Sequence, residues 1–518
     1  MSLTTILTAI RRYWTLILLA VLIAYYYYTR YVALHVHHKT NQQVRAQHPK
    51  IDRRWIRRIP EGLVIGRTDN HHYYCIPAKA TEHGFEMQHC LVIGGSGTGK
   101  TSSVYADSLL ANWDNTVNRP ELAYHVLAID IKGELHQNFC PHLIRPDLDA
   151  EDANLYYLLD PTDREYSVGF DPFADLGMYP SRDQIIQTSS DIAAAYVPVS
   201  DKDRYFSSNA ATLFSGLVAA CIESSPRIDL VTMMQRVLAE GVKAVMEDIV
   251  SRALPGSATI YFLGRFRDKG SDNESFDDIC STMTTSLTCF SMDSVAYMLR
   301  DNPVRIGTSA IRRKSVILSV PDYLLDEKTF APVYRMILCM AQRYLTSRMP
   351  EPGTPPTVLF YDELYSLGGS ETGKGIPGLQ HFVSIARGYG CAVVAAIQST
   401  KMLEQQYGRE GARILEDNMA KCILQITDPD TIKAATEWTG KYAERRVSTS
   451  DSNKMTSTIS WSQEPIFDSG DFTALAGRKR VIVIPVNDQF SQVRKSQWFA
   501  DPYFRGLQKQ ITKQPSDK

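Results

Sequence analysis

Gly94-Gly95-Ser96-Gly97-Thr98-Gly99-Lys100-Thr101 is a complete G-x-x-x-x-G-K-[ST] phosphate-binding loop. The loop follows the apolar run Leu91-Val92-Ile93 and precedes a segment with helical character, residues 101–113. Glycines let backbone N–H groups converge on phosphate oxygens, and a helix N-terminus adds a favourable dipole. The stretch therefore predicts a strand–loop–helix unit that binds ATP through all eight residues. In such a site Lys100 reaches the β- and γ-phosphates, and the Thr101 hydroxyl binds Mg²⁺.

A second segment supplies the acidic residues that a phosphate loop needs. The apolar run 357–361 ends in Asp362 and Glu363. We predict that Asp362, together with Thr101, positions Mg²⁺, and that Glu363 polarises the attacking water as a general base. Many strands end in acidic loops, so this pair is informative only in combination with the loop at Gly94.

Other apolar runs predict the rest of a sheet. They are residues 126–130, 315–320, 392–397, 422–426 and 481–484. Their nearly continuous apolar character favours a parallel sheet that is covered on both faces, in an α/β fold. Ligands bind at the carboxyl edge of such sheets, where Asp130 and Gln398 would lie. Gln398 either senses the γ-phosphate or caps a strand end.

Composition limits the remaining classes of protein. The chain has 518 residues, 44% of them apolar, which is enough for several domains with real cores. A net charge of −1 gives no global sign of nucleic-acid binding, so any such site must be local. The nine cysteines are odd in number and include no C-x-x-C pair. This pattern indicates reduced thiols, not a disulfide framework or a zinc site.

The N-terminus carries a predicted membrane anchor, residues 1–35. Residues 13–29 lack charge and are just long enough to span a bilayer, with Trp14 and Tyr25–Tyr28 as interfacial aromatics. A basic juxtamembrane linker, residues 36–60, follows, and the positive-inside rule then predicts a cytoplasmic catalytic body and a single-pass protein. The basic run either also binds anionic lipid or serves only as a topology signal.

The rest of the chain divides into three predicted parts. Residues 61–180 hold the first part of the nucleotide-binding domain, including a hairpin-like entry at 63–66 and 73–76. Residues 181–302 have a helical pattern, interrupted only by the strand-like 259–262, and predict an all-α insertion domain. Residues 303–518 complete the nucleotide-binding domain, with an exposed hairpin or loop at 448–462.

Several blocks, in this order, resemble the coupling proteins of type IV secretion and conjugation, the TraG/TraD-like membrane ATPases. The blocks are the phosphate loop, Asp130-Ile131-Lys132-Gly133-Glu134-Leu135, Leu159-Asp160-Pro161, Gly169-Phe170-Asp171-Pro172-Phe173, Tyr205-Phe206, Tyr361-Asp362-Glu363-Leu364-Tyr365-Ser366-Leu367-Gly368 and Gln398-Ser399. The resemblance covers roughly residues 60–500, and the combination is far more specific than any one block.

The resemblance implies a RecA-like P-loop ATPase domain with an inserted all-α domain. It also implies a homo-hexameric ring at the bacterial inner membrane, at the base of a type IV secretion channel, which recruits relaxase-bound single-stranded DNA and uses ATP to drive its transfer. Members commonly have two N-terminal spans, whereas this sequence predicts one transmembrane helix. In a ring, an arginine from the neighbouring subunit completes the active site. Arg387 fits this role, or is a plain surface arginine.

Two basic runs are candidates for contacts with DNA. Arg265, Arg267 and Lys269 surround Phe266, which would let charge and stacking grip a strand, although an ordinary solvated face is the simpler interpretation. A second basic run is residues 312–314. Two other functions remain open: a nucleotide-dependent docking receptor for secreted proteins, and a chromosome-type DNA pump.

Overall fold

The computed structural model describes residues 13–14, 16–31, 51–131, 133–144, 154–199, 203–267, 274–319, 321–324, 330–367, 375–450 and 456–511. The chain forms two compact units. One comprises residues 1–52 and 436–468, and the other comprises residues 53–435 and 469–518. The larger unit contains every sequence block named above except the predicted anchor, most of the linker and the segment 448–462.

The strands are numbered in chain order over the described residues. They are β1 (Ile56–Arg57), β2 (Leu63–Arg67), β3 (Tyr73–Ile76), β4 (Ala78–Thr81), β5 (Gly84–Met87), β6 (His89–Ile93), β7 (His125–Asp130), β8 (Tyr156–Leu159), β9 (Gly169–Phe170), β10 (Arg305–Ile306), β11 (Ser315–Ser319), β12 (Thr357–Tyr361), β13 (Cys391–Ile397), β14 (Met419–Ile423), β15 (Lys441–Ser450), β16 (Thr456–Pro465), β17 (Arg480–Ile484) and β18 (Ser491–Lys495).

The helices are numbered in the same way, with α1 (Leu16–Tyr31) in the smaller unit. The others are α2 (Ala106–Asn118), α3 (Glu134–Phe139), α4 (Arg182–Tyr196), α5 (Arg204–Glu223), α6 (Leu230–Glu240), α7 (Val242–Arg252), α8 (Ala258–Leu263), α9 (Glu274–Ser286), α10 (Asp293–Ala296), α11 (Ala331–Ser347), α12 (Leu379–Ile385), α13 (Thr400–Asn418), α14 (Pro429–Thr439), α15 (Ser469–Thr473) and α16 (Pro502–Ile511). A π-helical turn, Thr101–Tyr105, precedes α2.

A twelve-stranded sheet organises the larger unit. Its order is β1-β3-β2-β18-β17-β14-β6-β13-β12-β7-β11-β8. The seven strands from β14 to β8 are parallel. Every residue of β6, β12 and β13 is buried, as expected for strands that are covered on both faces. Because these strands are parallel and adjacent, their carboxyl ends meet at one edge.

The predicted parallel sheet is confirmed for β14 to β8, but the strand predicted at 481–484 does not belong to it. The strand predicted at 481–484 is β17, which runs antiparallel to β14, and β18, β2, β3 and β1 continue this antiparallel half. A continuous apolar run reports burial on both faces but not the direction of the neighbouring strand. The hairpin-like entry is confirmed, because β2 and β3 pair antiparallel with a bulge between Val64 and Gly66.

The strand predicted at 422–426 lies three residues earlier, in β14. Residues 424–426 leave the strand and pass beside the phosphate loop, where the Leu424 N–H donates to the Ile93 carbonyl at 2.9 Å. Leu424 and Ile426 are nonetheless buried. Their apolar character therefore reflects burial after the end of the strand, and it extends the apolar run from which a strand was predicted.

The helices α4–α10 stand between two short strands that pair with each other. β9 precedes these helices and β10 follows them, and the two strands run parallel with Gly169 opposite Arg305 and Phe170 opposite Ile306. A capping box begins α4, since the Ser181 hydroxyl accepts from the Gln184 N–H and the Gln184 side chain accepts from the Ser181 N–H. The chain thus enters and leaves the helical region at adjacent positions.

The strand-like segment 259–262 is helical, in α8. The Ser257 hydroxyl accepts a hydrogen bond from the Ile260 N–H and so caps the helix. The Glu223 carboxylate accepts from the N–H groups of Ala258 and Thr259 at 2.8 and 3.0 Å. These acceptors satisfy three N–H groups of the first turn and place a negative charge at the positive end of the helix. Tertiary capping therefore outweighs the β propensity of Thr-Ile-Tyr-Phe.

Among the described helices, α5 is the one long and apolar enough to cross a membrane by length and composition. It is, however, a core helix, because two thirds of its apolar window is buried. Gly216 allows α8 to approach closely, since a Cβ there would lie 2.3 Å from the Leu263 Cδ2. The helix at the predicted anchor, α1, is apolar but shorter.

The smaller unit contains α1 and a long hairpin. The α1 side chains of residues 16–31 are exposed. β15 and β16 pair antiparallel in continuous register from Lys441 opposite Pro465 to Ser450 opposite Thr456. The hairpin alternative for residues 448–462 is thereby confirmed. Most of the predicted anchor flanks and of the basic linker, residues 1–12 and 32–50, lie outside the described residues.

Candidate nucleotide site

The phosphate loop joins the end of β6 to the helical turn at Thr101. The Gly94 N–H donates to the Ile397 carbonyl at 3.1 Å, and the Gly95 N–H donates to the Gln425 carbonyl at 3.0 Å. These bonds fix the start of the loop to β13 on one side and to the segment after β14 on the other. Gly97 and Gly99 have φ values of +71° and +81°, a conformation that side chains rarely adopt. The glycines are therefore required by the backbone path.

The loop carries backbone N–H groups and the Lys100 ammonium. Within the described residues, no carbonyl accepts a hydrogen bond from the N–H groups of Ser96, Gly97 or Gly99. The Lys100 Nζ donates to the Gly94 and Gly95 carbonyls at 2.8 and 3.2 Å, which holds the ammonium over the loop. Converging N–H groups beside a cation are the chemistry that binds phosphate.

Thr101 and Asp362 meet across the sheet. The Thr101 Oγ1 donates to both Asp362 carboxylate oxygens, at 3.0 and 3.2 Å. Asp362 directly follows β12, which is separated from β6 by β13. A hydroxyl and a carboxylate are the hard oxygen ligands that Mg²⁺ prefers, with phosphates and waters completing the octahedron.

The surroundings of Asp362 favour its protonated form. Burial raises the pKa of Asp362 to about 7, although the hydrogen bond from Thr101 lowers this pKa. The negative charges of Asp130 and Glu363 raise the pKa of Asp362 as well, whereas the positive charge of Lys100 lowers it. The charges of two other carboxylates and of one ammonium therefore act on Asp362 at this edge of the sheet. A divalent cation is the natural counterion for such a set, because it stabilises the ionised carboxylates that burial disfavours.

The loop and the acidic pair line one cavity of about 500 Å³. Its walls are formed by Ser96, Gly97, Gly99, Lys100, Thr101, Ser102, Ile131, Glu134, Asn138, Phe139, Asp362, Glu363 and Trp498. Glu363 therefore faces the same space as Lys100 and Thr101, as its predicted position requires. The volume is within the range of small-molecule ligand sites.

The block that follows β7 forms one wall of this cavity. Asp130 is buried, and its Oδ2 accepts from the His136 N–H at 2.9 Å and lies 3.3 Å from the His136 Nδ1. Gly133, at φ +70°, turns the chain into α3, which brings Glu134, Asn138 and Phe139 to the cavity. The predicted placement of Asp130 at the carboxyl edge is confirmed, although Lys132 lies outside the described residues.

Gln398 and Arg387 lie at opposite ends of β13. Gln398 follows the strand at the edge that carries the phosphate loop, but is not among the described cavity-lining residues. Arg387 is exposed on a 3-10 turn, Ala386–Tyr389, that precedes the strand. The strand between them is roughly 20 Å long, so Arg387 cannot reach the phosphate loop of its own chain.

His89 confirms which end of the sheet Arg387 occupies. Burial lowers the pKa of His89, at the first position of β6, to about 3, and the positive charge of Arg387 lowers it further. The Val393 N–H donates to the His89 Nδ1 at 2.9 Å. Arg387 therefore borders the amino edge of β6, opposite the nucleotide cavity.

Two residues near the cavity were not predicted from the sequence. Lys495, the last residue of β18, donates from Nζ to the Thr98 carbonyl. Trp498 lines the cavity, and its ring packs edge-on against Phe139 at 5.5 Å. Neither belongs to a motif, and only the pairing of β18 within the antiparallel half of the sheet brings them to the loop.

Some side chains of the two basic runs that are candidates for DNA contacts are engaged in packing or hydrogen bonds within the protein. Phe266 is buried and stacks on Phe276, so its suggested exposure for base stacking is wrong. Arg265 donates to the Asn209 side chain at 3.0 Å, and Lys269 lies outside the described residues. In the second run, Arg312 donates to the carbonyls of Leu345 and Tyr389. Hydrogen bonds within the protein thus explain Arg265 and Arg312 without a strand of DNA.

The fold resembles that of known conjugation proteins. It is similar to the bacterial conjugative coupling protein TrwBdeltaN70 in its unbound monoclinic form (18% identity, TM-score 0.52, covering 79% of this chain and 84% of that chain). It is also similar to the trigonal form in complex with sulphate (16%, 0.55, 85% and 95%) and to TrwB in complex with ADP and Mg²⁺ (17%, 0.53, 81% and 89%). At these identities the likeness establishes the fold alone, a RecA-like α/β fold with a helical domain.

No curated protein matches the sequence significantly. The family model described as type IV secretory system conjugative DNA transfer matches residues 45–518. This match spans nearly the whole chain, including the phosphate loop, the acidic pair and the helical region. The chain therefore belongs to the conjugative DNA transfer family of type IV secretory systems.

Proposed function

We propose that this chain is an ATPase that couples a relaxase-bound single strand of DNA to a type IV secretion channel and drives its conjugative transfer. The observation that carries the proposal is the contact between Thr101 and Asp362. This contact joins the phosphate loop to an acidic strand end in one cavity that also contains Glu363. The TrwB structures in complex with ADP and Mg²⁺ or with a non-hydrolysable ATP analogue support the choice of ATP and Mg²⁺.

The residues of the site divide the chemistry among them. The loop N–H groups and Lys100 bind the phosphates, and Thr101 and Asp362 hold Mg²⁺. When bound, Mg²⁺ neutralises charge on the transferring phosphoryl group. Glu363 orients the attacking water and accepts its proton. Gln398, at the same edge of the sheet, senses the γ-phosphate.

Arg387 acts in a neighbouring subunit of a homo-hexameric ring. Its exposure and its location at the amino edge of the sheet exclude a role at its own phosphate loop but suit a donor to the next one. There it stabilises the charge on the transferring phosphoryl group, as arginines supplied in trans do.

We assign the chain to the bacterial inner membrane as a single-pass protein. The exposed apolar helix α1, within the anchor 1–35, and the basic linker 36–60 support this topology, which leaves the catalytic body in the cytoplasm. The nucleotide-binding domain comprises residues 61–180 and 303–518, and the all-α domain comprises 181–302. The pairing of β9 with β10 at the boundaries of the helical region supports this division.

Glu363→Gln tests the motor function. The amide keeps the size of the side chain but cannot accept a proton, so ATP binding and ring assembly should persist while ATP hydrolysis and DNA transfer between mating cells stop. Undiminished transfer by this variant would contradict a motor. ATPase activity that is lost in the variant, but is indifferent to single-stranded DNA in the unmodified protein, would favour a docking receptor for secreted proteins. Stimulation by duplex DNA alone would favour a chromosome-type pump.

A further inference from the structure

We propose that Lys495 is a positioning residue for the phosphate loop. It holds the peptide between Thr98 and Gly99 so that the Gly99 N–H faces the phosphates. This inference rests on the nucleotide-binding part of the proposed function and is independent of DNA transfer.

The Lys495 ammonium lies on the outer side of the loop. It donates to the Thr98 carbonyl, and a Cβ on Gly99 would lie 2.6 Å from the Lys495 Nζ. Gly99 lines the nucleotide cavity, whereas Lys495 is not among the described lining residues. The loop therefore separates the ammonium from the cavity, which distinguishes Lys495 from Lys100.

The hydrogen bond from Lys495 to the Thr98 carbonyl also determines the direction of the Gly99 N–H, because both groups belong to one peptide. The C=O and N–H of one trans peptide point in opposite directions, and Ser225–Pro226 is the cis bond recorded among the described residues. Because the Thr98 C=O points outward to Lys495, the Gly99 N–H of the same peptide points inward to the cavity. No described carbonyl accepts a hydrogen bond from this N–H, so it is available to a phosphate oxygen.

The loop needs such an external contact because its glycines do not fix the peptide themselves. Glycine has similar access to positive and negative φ, so a peptide that ends in Gly99 can rotate at little steric cost. A charge-assisted hydrogen bond from a half-buried lysine favours one orientation. Since β18 pairs with β17 and β2, the antiparallel half of the sheet fixes the position of Lys495.

The experiment measures nucleotide affinity in the full-length chain with three variants. Lys495→Met removes the donor at similar volume, Lys495→Arg keeps a charged donor, and Lys433→Met is a matched control at an exposed lysine on α14. Dissociation constants for the fluorescent nucleotide mant-ADP with Mg²⁺ are measured directly. Those for adenosine, which lacks phosphate, are measured by competition, and melting temperatures are recorded without nucleotide.

We expect Lys495→Met to weaken mant-ADP binding about tenfold, the effect of one charge-assisted hydrogen bond. Adenosine affinity and the nucleotide-free melting temperature should stay close to those of the unmodified protein. Lys495→Arg should recover most of the loss, and Lys433→Met should show none. Unchanged mant-ADP affinity in Lys495→Met would overturn the proposal. An equal loss for adenosine would also overturn it, because the whole site would then be damaged.

Normal nucleotide affinities without DNA transfer would refute the proposed motor alone. Conversely, a chain that transfers DNA but whose Lys495→Met variant binds mant-ADP normally would refute only the positioning role. The two hypotheses therefore fail in distinguishable ways.

Discussion

Replacing Asp362 with asparagine should stabilise the protein at pH 8 and change its stability only slightly at pH 4. In the folded chain, burial raises the pKa of this carboxyl from the ordinary value of 3.8 to about 7. Well below pH 3.8 the carboxyl is protonated in both the folded and the unfolded state and has no effect. Between pH 4 and pH 7 only the unfolded state loses the proton, so the free energy of unfolding falls as the pH rises. Above pH 7 the carboxyl is ionised in both states, and the full free-energy cost of burying the charged carboxylate is present.

The size of the effect follows from the shift. A change of about three pKa units corresponds to about 4 kcal/mol. Because Asp362 borders the nucleotide cavity and is not sealed in the core, we expect about 2 kcal/mol. Asparagine has the same shape and retains a carbonyl oxygen for the Thr101 hydroxyl, so packing is preserved. In a domain of this size the gain corresponds to a rise of about 2 to 4 °C in melting temperature at pH 8.

The assay is thermal unfolding of the full-length chain from pH 4 to pH 8 without nucleotide or Mg²⁺. The difference in melting temperature between Asp362→Asn and the unmodified protein is plotted against pH. Glu351→Gln, which neutralises an exposed carboxylate, serves as the control and should show no such trend. A difference in melting temperature between Asp362→Asn and the unmodified protein that does not vary with pH would refute the reasoning. It would show that titration of the Asp362 carboxyl does not cause the change in stability.

Four further outcomes are expected. Mg²⁺ affinity in the presence of ADP should fall up to tenfold for each pH unit below 7, since Asp362 must lose its proton to bind the cation, and calorimetry of Asp362→Asn should show no such dependence. Lys100→Ala should reduce phosphate release at least about a hundredfold, the effect of removing a charged donor to a developing negative charge, and unchanged release would exclude this lysine. Arg387→Ala should lower turnover only at protein concentrations that support rings, whereas an equal loss in isolated monomers would indicate folding damage. Gly216→Ala should destabilise the protein by about 1 to 3 kcal/mol, because the new methyl group overlaps the Leu263 side chain, and an unchanged melting temperature would contradict this packing.

The sequence predicted the parts of the fold that local chemistry determines. The phosphate loop, the acidic pair after β12 and the apolar strands carry their own patterns, so their meeting at one edge followed from parallel pairing alone. The direction of a strand and the capping of a helix by a distant side chain leave no such pattern in the sequence. β17 has the same apolar character as a parallel strand but runs antiparallel, and α8 owes its helical form to the distant Glu223 carboxylate.

The missed residues of the site have the same explanation. Lys495 and Trp498 reach the phosphate loop through strand pairing far along the chain, so no spacing in the sequence indicates them. Phe266 shows the opposite error, since an aromatic between arginines resembles a DNA-binding element but is part of the core. A sequence pattern reports which side chains are apolar or charged, and only the packing decides which way they face.

The parallel pairing of β9 with β10 has a consequence for how such proteins diversify. Neighbouring strands lie about 5 Å apart, so the chain enters and leaves the helical region at adjacent positions, although α4 also packs against α11. Any compact module whose ends lie that close together can occupy this position without altering the register of the main sheet. A module of different size can therefore be inserted at this position while the cavity beside the phosphate loop stays intact. The pairing of β9 with β10 is also the natural junction at which chimaeric proteins with a different helical module can be assembled.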